Sequence, residues 1–519
     1  MGRSSSYLFI FWILLHVASP SMAMIQFQAL PLSTNGRWIV DQSSTRVKLT
    51  CVNLPSNLQP AVTEGLNKQP ITAIAQRIIS MGFNCVRLNL PLFVFLDETS
   101  RNTTVRQSFH NLGLLYPIIG FFENNPSLLD LPLIEAFKSI VSTLAEARLM
   151  MILDNHGDKP GRCCSPDQWV LALTRVARTF KSVPWVVGMN LGHEADGSKF
   201  SEWYRQMESG AAAVHAENPA ALVFLSAPDF GNYLSFLRRQ PLVLSFTGKT
   251  VFEIRWYAYT DGPSWVTGSP NQVCGRVIDR VIKTSNYLSS RGWPLFVSEF
   301  GVDLRGSNVN DNRFLGCFMG IAAGLDLDWA LWTLAGSYYF KNGVVGSDEP
   351  YGFLTKEWNE LRNISFSKRL SVLQSPFRGP GLRQTSVHQL IFHPASGLCV
   401  RRESLFEPLK LDSCDRADAW TYRSDLKTLT ATGTYFCLQS SLLGRPAKLG
   451  LSCTYRNATW SLVSDSKMQL ASMAFGALNA CLDVDSNNTI VVNACRCLDN
   501  GNTCDPEFQW FRLVDSTTR

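Results

Sequence analysis

The sequence predicts an α/β barrel of eight strand–helix units followed by an all-β domain, and three observations carry that prediction. Between about residues 36 and 370, short β-rich runs alternate with longer helical patterns. Several of the short runs are continuously apolar, as parallel strands buried on both faces are. After a Gly-, Pro- and Ser-rich stretch at 375–385, the chain changes to short strands, frequent turns and a threefold internal repeat.

In chain order, the strand candidates are 47–52, 85–88, 150–154, 186–190, 222–225, 251–256, 295–298 and 329–332. Helical segments such as 133–147, 167–180, 199–218 and 271–291 lie between them. An open, doubly wound sheet would also alternate in this way, but eight units of this length favour closure into a (β/α)8 TIM barrel. Asn155, His156, Glu194, Tyr257, Glu299 and Trp332 follow strand candidates directly. In a barrel that is the carboxyl-terminal face, where active sites are built. The repeat units are Cys399…Cys414…Trp420, Cys437…Cys453…Trp460 and Cys481…Cys495…Trp510, and three such β units predict a trefoil. Cys497 and Cys504 are read as a further bridge, although sequence does not fix the pairing.

Length and composition agree with this division. A chain of 519 residues exceeds one ordinary domain, and 45% hydrophobic against 17% charged residues supplies sizeable cores. The formal charge of +6 is spread without a basic run, so no nucleic-acid partner is expected. Arg3, the apolar stretch 7–17 and Ser21-Met22-Ala23 read as a signal peptide, too short in its apolar part for a membrane span. Fourteen cysteines, eight of them after residue 398, and sequons at Asn102, Asn363, Asn457 and Asn487 fit an exported protein, in the cell wall or another secretory compartment. The expected boundaries are therefore a signal peptide at 1–23, the barrel at 24–374, a linker at 375–385 and the trefoil at 386–519.

Glu194 and Glu299 close the fourth and seventh strand candidates, which face one another across a barrel mouth. Glycosidic cleavage needs such a pair, one carboxylic acid to protonate the leaving oxygen and one carboxylate to attack or to activate water. Strand-end glutamates also occur as members of structural ion pairs, and the residues alone leave both readings open. His215 is read as a packing residue, His388 and His393 as lying outside the chemistry, and Cys163-Cys164 as disulfide staples on the rim.

The first ~370 residues resemble a plant glycoside hydrolase of family 5, the cellulase-like family. The resemblance rests on Ser298-Glu299-Phe300-Gly301, on Ile152-Leu153-Asp154-Asn155-His156 with Lys159-Pro160-Gly161 and Cys163-Cys164-Ser165, and on Trp329-Ala330-Leu331-Trp332-Thr333-Leu334 with Gly336-Ser337-Tyr338-Tyr339. It implies that Glu299 is the nucleophile and Glu194 the acid/base of a retaining mechanism. It further implies that Arg87 supports the nucleophile, that Tyr257 is the strand-six tyrosine and that Trp332 is the platform under the sugar. A β-linked oligo- or polysaccharide or glycoside is the implied partner, with no metal or organic cofactor.

Two positions depart from the family. His193 stands where members carry the Asn that meets the sugar 2-hydroxyl, and Arg255 replaces the histidine of His-x-Tyr on strand six. A cation near the site lowers carboxyl pKa values, unless Arg255 is held by Glu253 or Asp261. The last ~135 residues resemble a ricin-B-type trefoil in which the Gln-x-Trp signature has become Asp418-Ala419-Trp420, Ala458-Thr459-Trp460 and Phe508-Gln509-Trp510. Only Asp483 keeps the sugar-site aspartate; Arg401 and Gln439 replace it elsewhere, and no aromatic follows Asp483 until Phe508. The sequence thus predicts a secreted retaining β-glycosidase, the alternative being a weakened barrel that binds carbohydrate without turning it over.

Overall fold

The computed structural model describes residues 29–156, 165–192, 200–228, 234–382, 386–405, 407–473, 479–499 and 501–518. The expected signal peptide, His193, Glu194, Cys163 and Cys164 lie outside these residues. Eight strands form a closed barrel: β1 (Thr50–Leu54), β2 (Cys85–Asn89), β3 (Met150–Asp154), β4 (Val186–Asn190), β5 (Leu222–Ser226), β6 (Thr250–Trp256), β7 (Leu295–Phe300) and β8 (Asp328–Leu331). Each pairs in parallel with its sequence neighbour, and β8 pairs with β1 to close the ring. This is the TIM-barrel arrangement, with helices between the strands.

The strands are buried on both faces, which explains their unbroken apolar runs. Inward-facing Cys51, Cys85, Met150, Ile152, Leu222, Phe224, Val251, Phe296 and Ala330 fill the barrel interior. A hairpin of Ser33–Asn35 and Trp38–Val40 contributes Ile39 to the same cluster. The outward set packs on amphipathic helices such as Leu133–Glu146, whose Ile134, Phe137, Ile140, Val141 and Leu144 are buried at helical spacing. Cys51 and Cys85 are register partners on β1 and β2 and form a disulfide inside the barrel. Cys274–Cys317 joins helices Pro270–Ser290 and Val309–Leu325.

A bulge in β7 decides what faces the site. Pairing with β6 runs Ile254↔Val297 and then Arg255↔Glu299, leaving Ser298 as the extra residue. Strict alternation from inward Phe296 would turn Phe300 inward and Glu299 out. With one residue inserted, Glu299 faces the barrel, and Phe300 packs outside against Phe318 and Trp329.

The connection from β2 to helix Leu133–Glu146, which the sequence leaves unassigned, holds short helices at Glu98–Asn102, Val105–Asn111, Leu115–Asn124 and Pro126–Leu129.

The C-terminal region is antiparallel throughout, in two sheets. One contains Lys410–Asp412, Leu398–Arg401, His388–His393, Trp420–Arg423, Thr428–Ala431, Cys437–Gln439 and Lys448–Gly450, with Arg512–Ser516 also paired to His388–His393. The other orders Arg445–Pro446, Ile490–Ala494, Asn479–Val484, Leu470–Met473 and Trp460–Leu462. Disulfides join Cys399–Cys414, Cys437–Cys453, Cys481–Cys495 and Cys497–Cys504, giving each repeat its own staple. All three repeat tryptophans are fully buried, but not equivalently. Trp420 and Trp460 share the core of this region, whereas Trp510 belongs to the barrel cluster.

The reason is a close packing surface on helix Val309–Leu325. A Cβ on Gly316 would stand 3.1 Å from the Trp510 ring, and one on Gly320 2.5 Å from Met468 Sδ. One on Gly324 would stand 2.8 Å from Arg512 Nε. Glycine at three successive helical turns therefore lets the C-terminal sheets approach the barrel backbone. Buried Asn271 completes the contact: its Oδ1 accepts from Trp510 Nε1 (2.9 Å) and Ser466 Oγ (2.8 Å), and its Nδ2 donates to Gln469 and to the Cys497 carbonyl.

Candidate functional site

Polar residues replace the apolar layers at the carboxyl ends of the strands. Arg87 on β2 is fully buried, and its guanidinium organises the layer. Nη1 donates to Asn53 Oδ1 and Glu299 Oε1, both at 2.9 Å, and Nη2 to Asp154 Oδ1 at 2.7 Å. Asn89 Nδ2 donates to the other Asp154 oxygen at 2.5 Å. Glu253, one pleat below Arg255 on β6, accepts from Asn190 Nδ2 at 2.5 Å and from Ser226, and lies 3.8 Å from Arg87 Nη2. Asn53 in turn donates to the carbonyls of Ser298 and Leu331. Buried charges of this kind persist only when paired and hydrogen-bonded.

Glu299 is the convergence point. Besides Arg87, Oε1 lies 3.2 Å from Arg255 Nε and 3.3 Å from His156 Nδ1, while Oε2 accepts from the Tyr257 hydroxyl at 3.1 Å. His156 Nδ1 is also 3.4 Å from Asp154, and its ring stacks on Trp332 with centroids 5.3 Å apart. Trp332 is half-buried and follows β8. Its carbonyl would stand 2.4 Å from a Cβ at position 301, so the turn after Glu299 requires Gly301.

The expected site residues Arg87, His156, Tyr257, Glu299 and Trp332 are thus brought together. Asn155 instead serves the scaffold: its Nδ2 donates to the carbonyls of Leu191 (2.9 Å) and Gly192 (3.1 Å), stitching the loop after β3 to the one after β4. Gly192 has φ +50°, and a Cβ there would meet the Asn155 carbonyl at 1.8 Å. The backbone at Gly192 is thus pinned against Asn155. Arg255 pairs with neither acid expected of it in a bystander role: it reaches Glu299, while Asp261 pairs with Arg280 at 2.7 Å. The pleat turns Arg255 to the same side as Glu253, and the β7 bulge brings Glu299 level with it. Asn53 and Asn190 escape attention in the sequence because they sit within strands, and Asp154 and Glu253, though named there, are given no part in the Arg87 network. Their signal is a polar residue interrupting an otherwise buried apolar run.

Burial would raise the Glu299 pKa, but Arg255, then His156 and Arg87, outweigh it and hold the carboxyl well below the usual carboxylate range. Burial likewise opposes a charge on His156, and the Glu299 and Asp154 carboxylates overcome it, pushing the ring up to about 9. Tyr257 is kept a phenol, first by burial and then by Glu299. His156 is therefore a cation at neutral pH, and its folded pKa exceeds the ordinary 6.5. Its stabilisation, on the order of 2–3 kcal/mol from the size of the shift, is complete below pH 6.5 and disappears as pH rises through 9. The difference in unfolding free energy between wild type and His156→Gln should accordingly shrink from pH 6.5 to 10 in urea titrations. A difference constant over that range would show His156 to be neutral.

In the C-terminal sheets, Asp483 is buried and accepts from Val484 N (2.8 Å), Asn493 Nδ2 (3.1 Å) and Gln509 Nε2 (3.0 Å). It lines a cavity of about 410 Å³ with Asn493, Arg496 and His393. Phe508, distant from it in sequence and 60% exposed, lines the same cavity, so an aromatic is present where the sequence shows none nearby. His215 stacks on Phe246 at 4.0 Å, and buried His393 bonds Ser396 and the Phe508 carbonyl.

Comparison with known proteins bears on this geometry. The family profile described as Cellulase (glycosyl hydrolase family 5) matches residues 40–337. A "Glycosyl hydrolase 5 family protein" from Chamaecyparis obtusa is 39% identical over 536 aligned positions, covering 97% of this chain and 95% of that one. The major extracellular endoglucanase of Xanthomonas campestris is 26% identical over 205 positions, covering 36% of this chain and 39% of its own. Among solved structures, the cellotetraose complex of an endocellulase from Pyrococcus horikoshii superposes with TM-score 0.52 at 17% identity, covering 64% of this chain and 96% of that one. The last of these shows the shared barrel fold.

Proposed function

Since the chain belongs to the cellulase family of glycosyl hydrolases, family 5, we propose that it is a secreted retaining β-glycosidase of a β-linked glycan or glycoside. The observation that carries the proposal is the Glu299 carboxylate, turned inward by a bulge at the carboxyl end of β7 and held ionised by Arg255, His156 and Arg87. A nucleophile must be unprotonated and fixed before the substrate arrives. With Oε1 hydrogen-bonded by Arg87 and flanked by the Arg255 and His156 cations, Oε2, beside the Tyr257 hydroxyl, is the oxygen that attacks.

In the first step Oε2 bonds to the anomeric carbon, the glycosidic bond breaks, and its oxygen takes a proton from Glu194, the acid in this reading. In the second, water attacks the anomeric carbon, gives a proton to the Glu194 carboxylate and releases Glu299 with its electron pair. Asn155 and Gly192 fix the entry to Glu194, His193 meets the sugar 2-hydroxyl, and Trp332, backed by His156, forms the apolar platform beneath the ring. The activities of two relatives, an endoglucanase and an endocellulase, favour a β-glucan over other β-linked sugars. A screen of aryl β-glycosides (glucoside, cellobioside, xyloside, mannoside) with Glu299→Gln as control tests the assignment. An inactive wild type whose His193→Asn/Arg255→His form is active would instead support the glycan-binding reading.

Export is supported by the apolar segment at 7–17 and by six disulfides among the described residues, since such bonds persist in oxidising compartments. The mature arrangement we propose is a barrel over 24–374, a linker at 375–385 and a trefoil over 386–519. Asp483, Asn493, Gln509 and exposed Phe508 form its candidate sugar site, polar acceptors and donors beside an aromatic face. Asp483→Ala in the full-length chain should abolish retention on immobilised glycan without lowering turnover of a small aryl glycoside; unchanged retention would leave this region a structural one.

A further inference from the structure

Three nitrogens crowd one oxygen of Glu299, and two of them belong to permanent cations, Arg87 and, from the neighbouring strand, Arg255. Arg87, Arg255 and His156 approach Oε1 at 2.9, 3.2 and 3.3 Å. Among the described residues, the titratable groups around this carboxylate come from four sides: Arg87 from β2, Asp154 and His156 from β3, Glu253, Arg255 and Tyr257 from β6, and Tyr338 from the loop after β8. Arg87 is shared with Asn53, Asp154 and Glu253, and His156 with Asp154. Arg255 lies directly across the β6–β7 ladder from Glu299, just past the bulge that turns Glu299 inward.

Resting on the nucleophile assignment above, we propose that Arg255 is a positioning residue that shortens the life of the glycosyl-enzyme by stabilising Glu299 as a leaving group. The carboxylate is an anion before the first step and after the second, and a neutral ester between them. A fixed cation on Oε1 favours the anion at both ends. It weakens Glu299 as a nucleophile when the C–Oε2 bond forms, and hastens breaking of that bond when water attacks. Formation of the intermediate, rather than its hydrolysis, then limits turnover. The same charge that makes the site look compromised as a nucleophile thus protects it from stalling as an ester.

The two half-reactions can be timed separately. Full-length wild type, Arg255→His and Arg255→Lys are treated with 2,4-dinitrophenyl 2-deoxy-2-fluoro glycosides (β-glucoside, β-cellobioside, β-xyloside, β-mannoside). Intact-mass spectrometry and peptide mapping follow labelling, and recovery of activity after removal of excess reagent follows hydrolysis. Arg255→His should label faster than wild type and reactivate roughly tenfold more slowly, while Arg255→Lys, which keeps the cation, should stay within about twofold of wild type in both. If Glu299 is labelled in all three but the reactivation rates agree, or if the lysine variant behaves as the histidine one, the role given to Arg255 is overturned and the nucleophile stands. If no protein is labelled by any reagent, or the label lies elsewhere than on Glu299, the nucleophile assignment itself fails.

Discussion

Glu299→Gln should reduce turnover of any aryl β-glycoside that the wild type cleaves by at least about 10⁴-fold, the scale seen when a covalent nucleophile is removed. The amide keeps a carbonyl oxygen for Arg87 and Arg255 and fills the same volume, but it offers no carboxylate to attack the anomeric carbon. Among the described residues no neighbouring carboxylate can substitute. Asp154 is fully buried behind Arg87 and Asn89, and Glu253 is buried and engaged by Asn190 and Ser226. Steady-state assays with a 2,4-dinitrophenyl glycoside, which needs little help from an acid, isolate this effect from any weakness of Glu194. Retained binding of the unhydrolysed glycan by the variant would show that the pocket is intact. Residual activity above one part in a thousand would remove Glu299 from the nucleophile's role.

The strands were legible in the sequence because burial on both faces writes continuous apolar runs: β3 and β4 coincide with expectation, and the rest differ by at most three residues at an end. Strand ends were less clear where the run turns polar, as at Glu299 in β7 and at Ser226 in β5, because those positions serve the site rather than the core. Glu299, Tyr257 and Trp332 were legible as strand-end residues matching a known pattern, and Arg87 as the strand-two arginine of the same pattern. The partner of Arg255 was not, because its contact with Glu299 depends on a one-residue bulge that alternation cannot reveal. The same limit applied to Trp510. Its repeat position predicts a place in the trefoil core, but three glycines on a distant helix open a closer seat against the barrel. Pairing of the repeat cysteines followed the repeat, since each bridge spans only 7 to 16 residues and stays within one unit.

Arg87→Met should destabilise the folded chain by about 3–5 kcal/mol at neutral pH, the usual cost of stranding buried carboxylates by removing their cation. Methionine matches the length of the stem, so packing is not the main loss. Arg87 carries hydrogen bonds to Asn53, Glu299 and Asp154, and no solvent reaches it to compensate for their removal. The pH dependence identifies the cause. Burial raises the Asp154 pKa, but Arg87, first among the opposing groups, brings it below its ordinary value; Glu299 is held low by Arg255, His156 and Arg87. Carboxyls whose folded pKa is depressed stabilise the fold above their unfolded pKa and lose that contribution as pH falls through the folded one. The deficit of Arg87→Met should therefore be largest from about pH 5 upward and shrink in acid, where protonation removes the stranded charges. Urea unfolding at pH 7 and pH 3.5 measures both values. A deficit equal at the two pH values would mean that the guanidinium acts through packing alone, and the buried ion network would then contribute little to holding Glu299 in place.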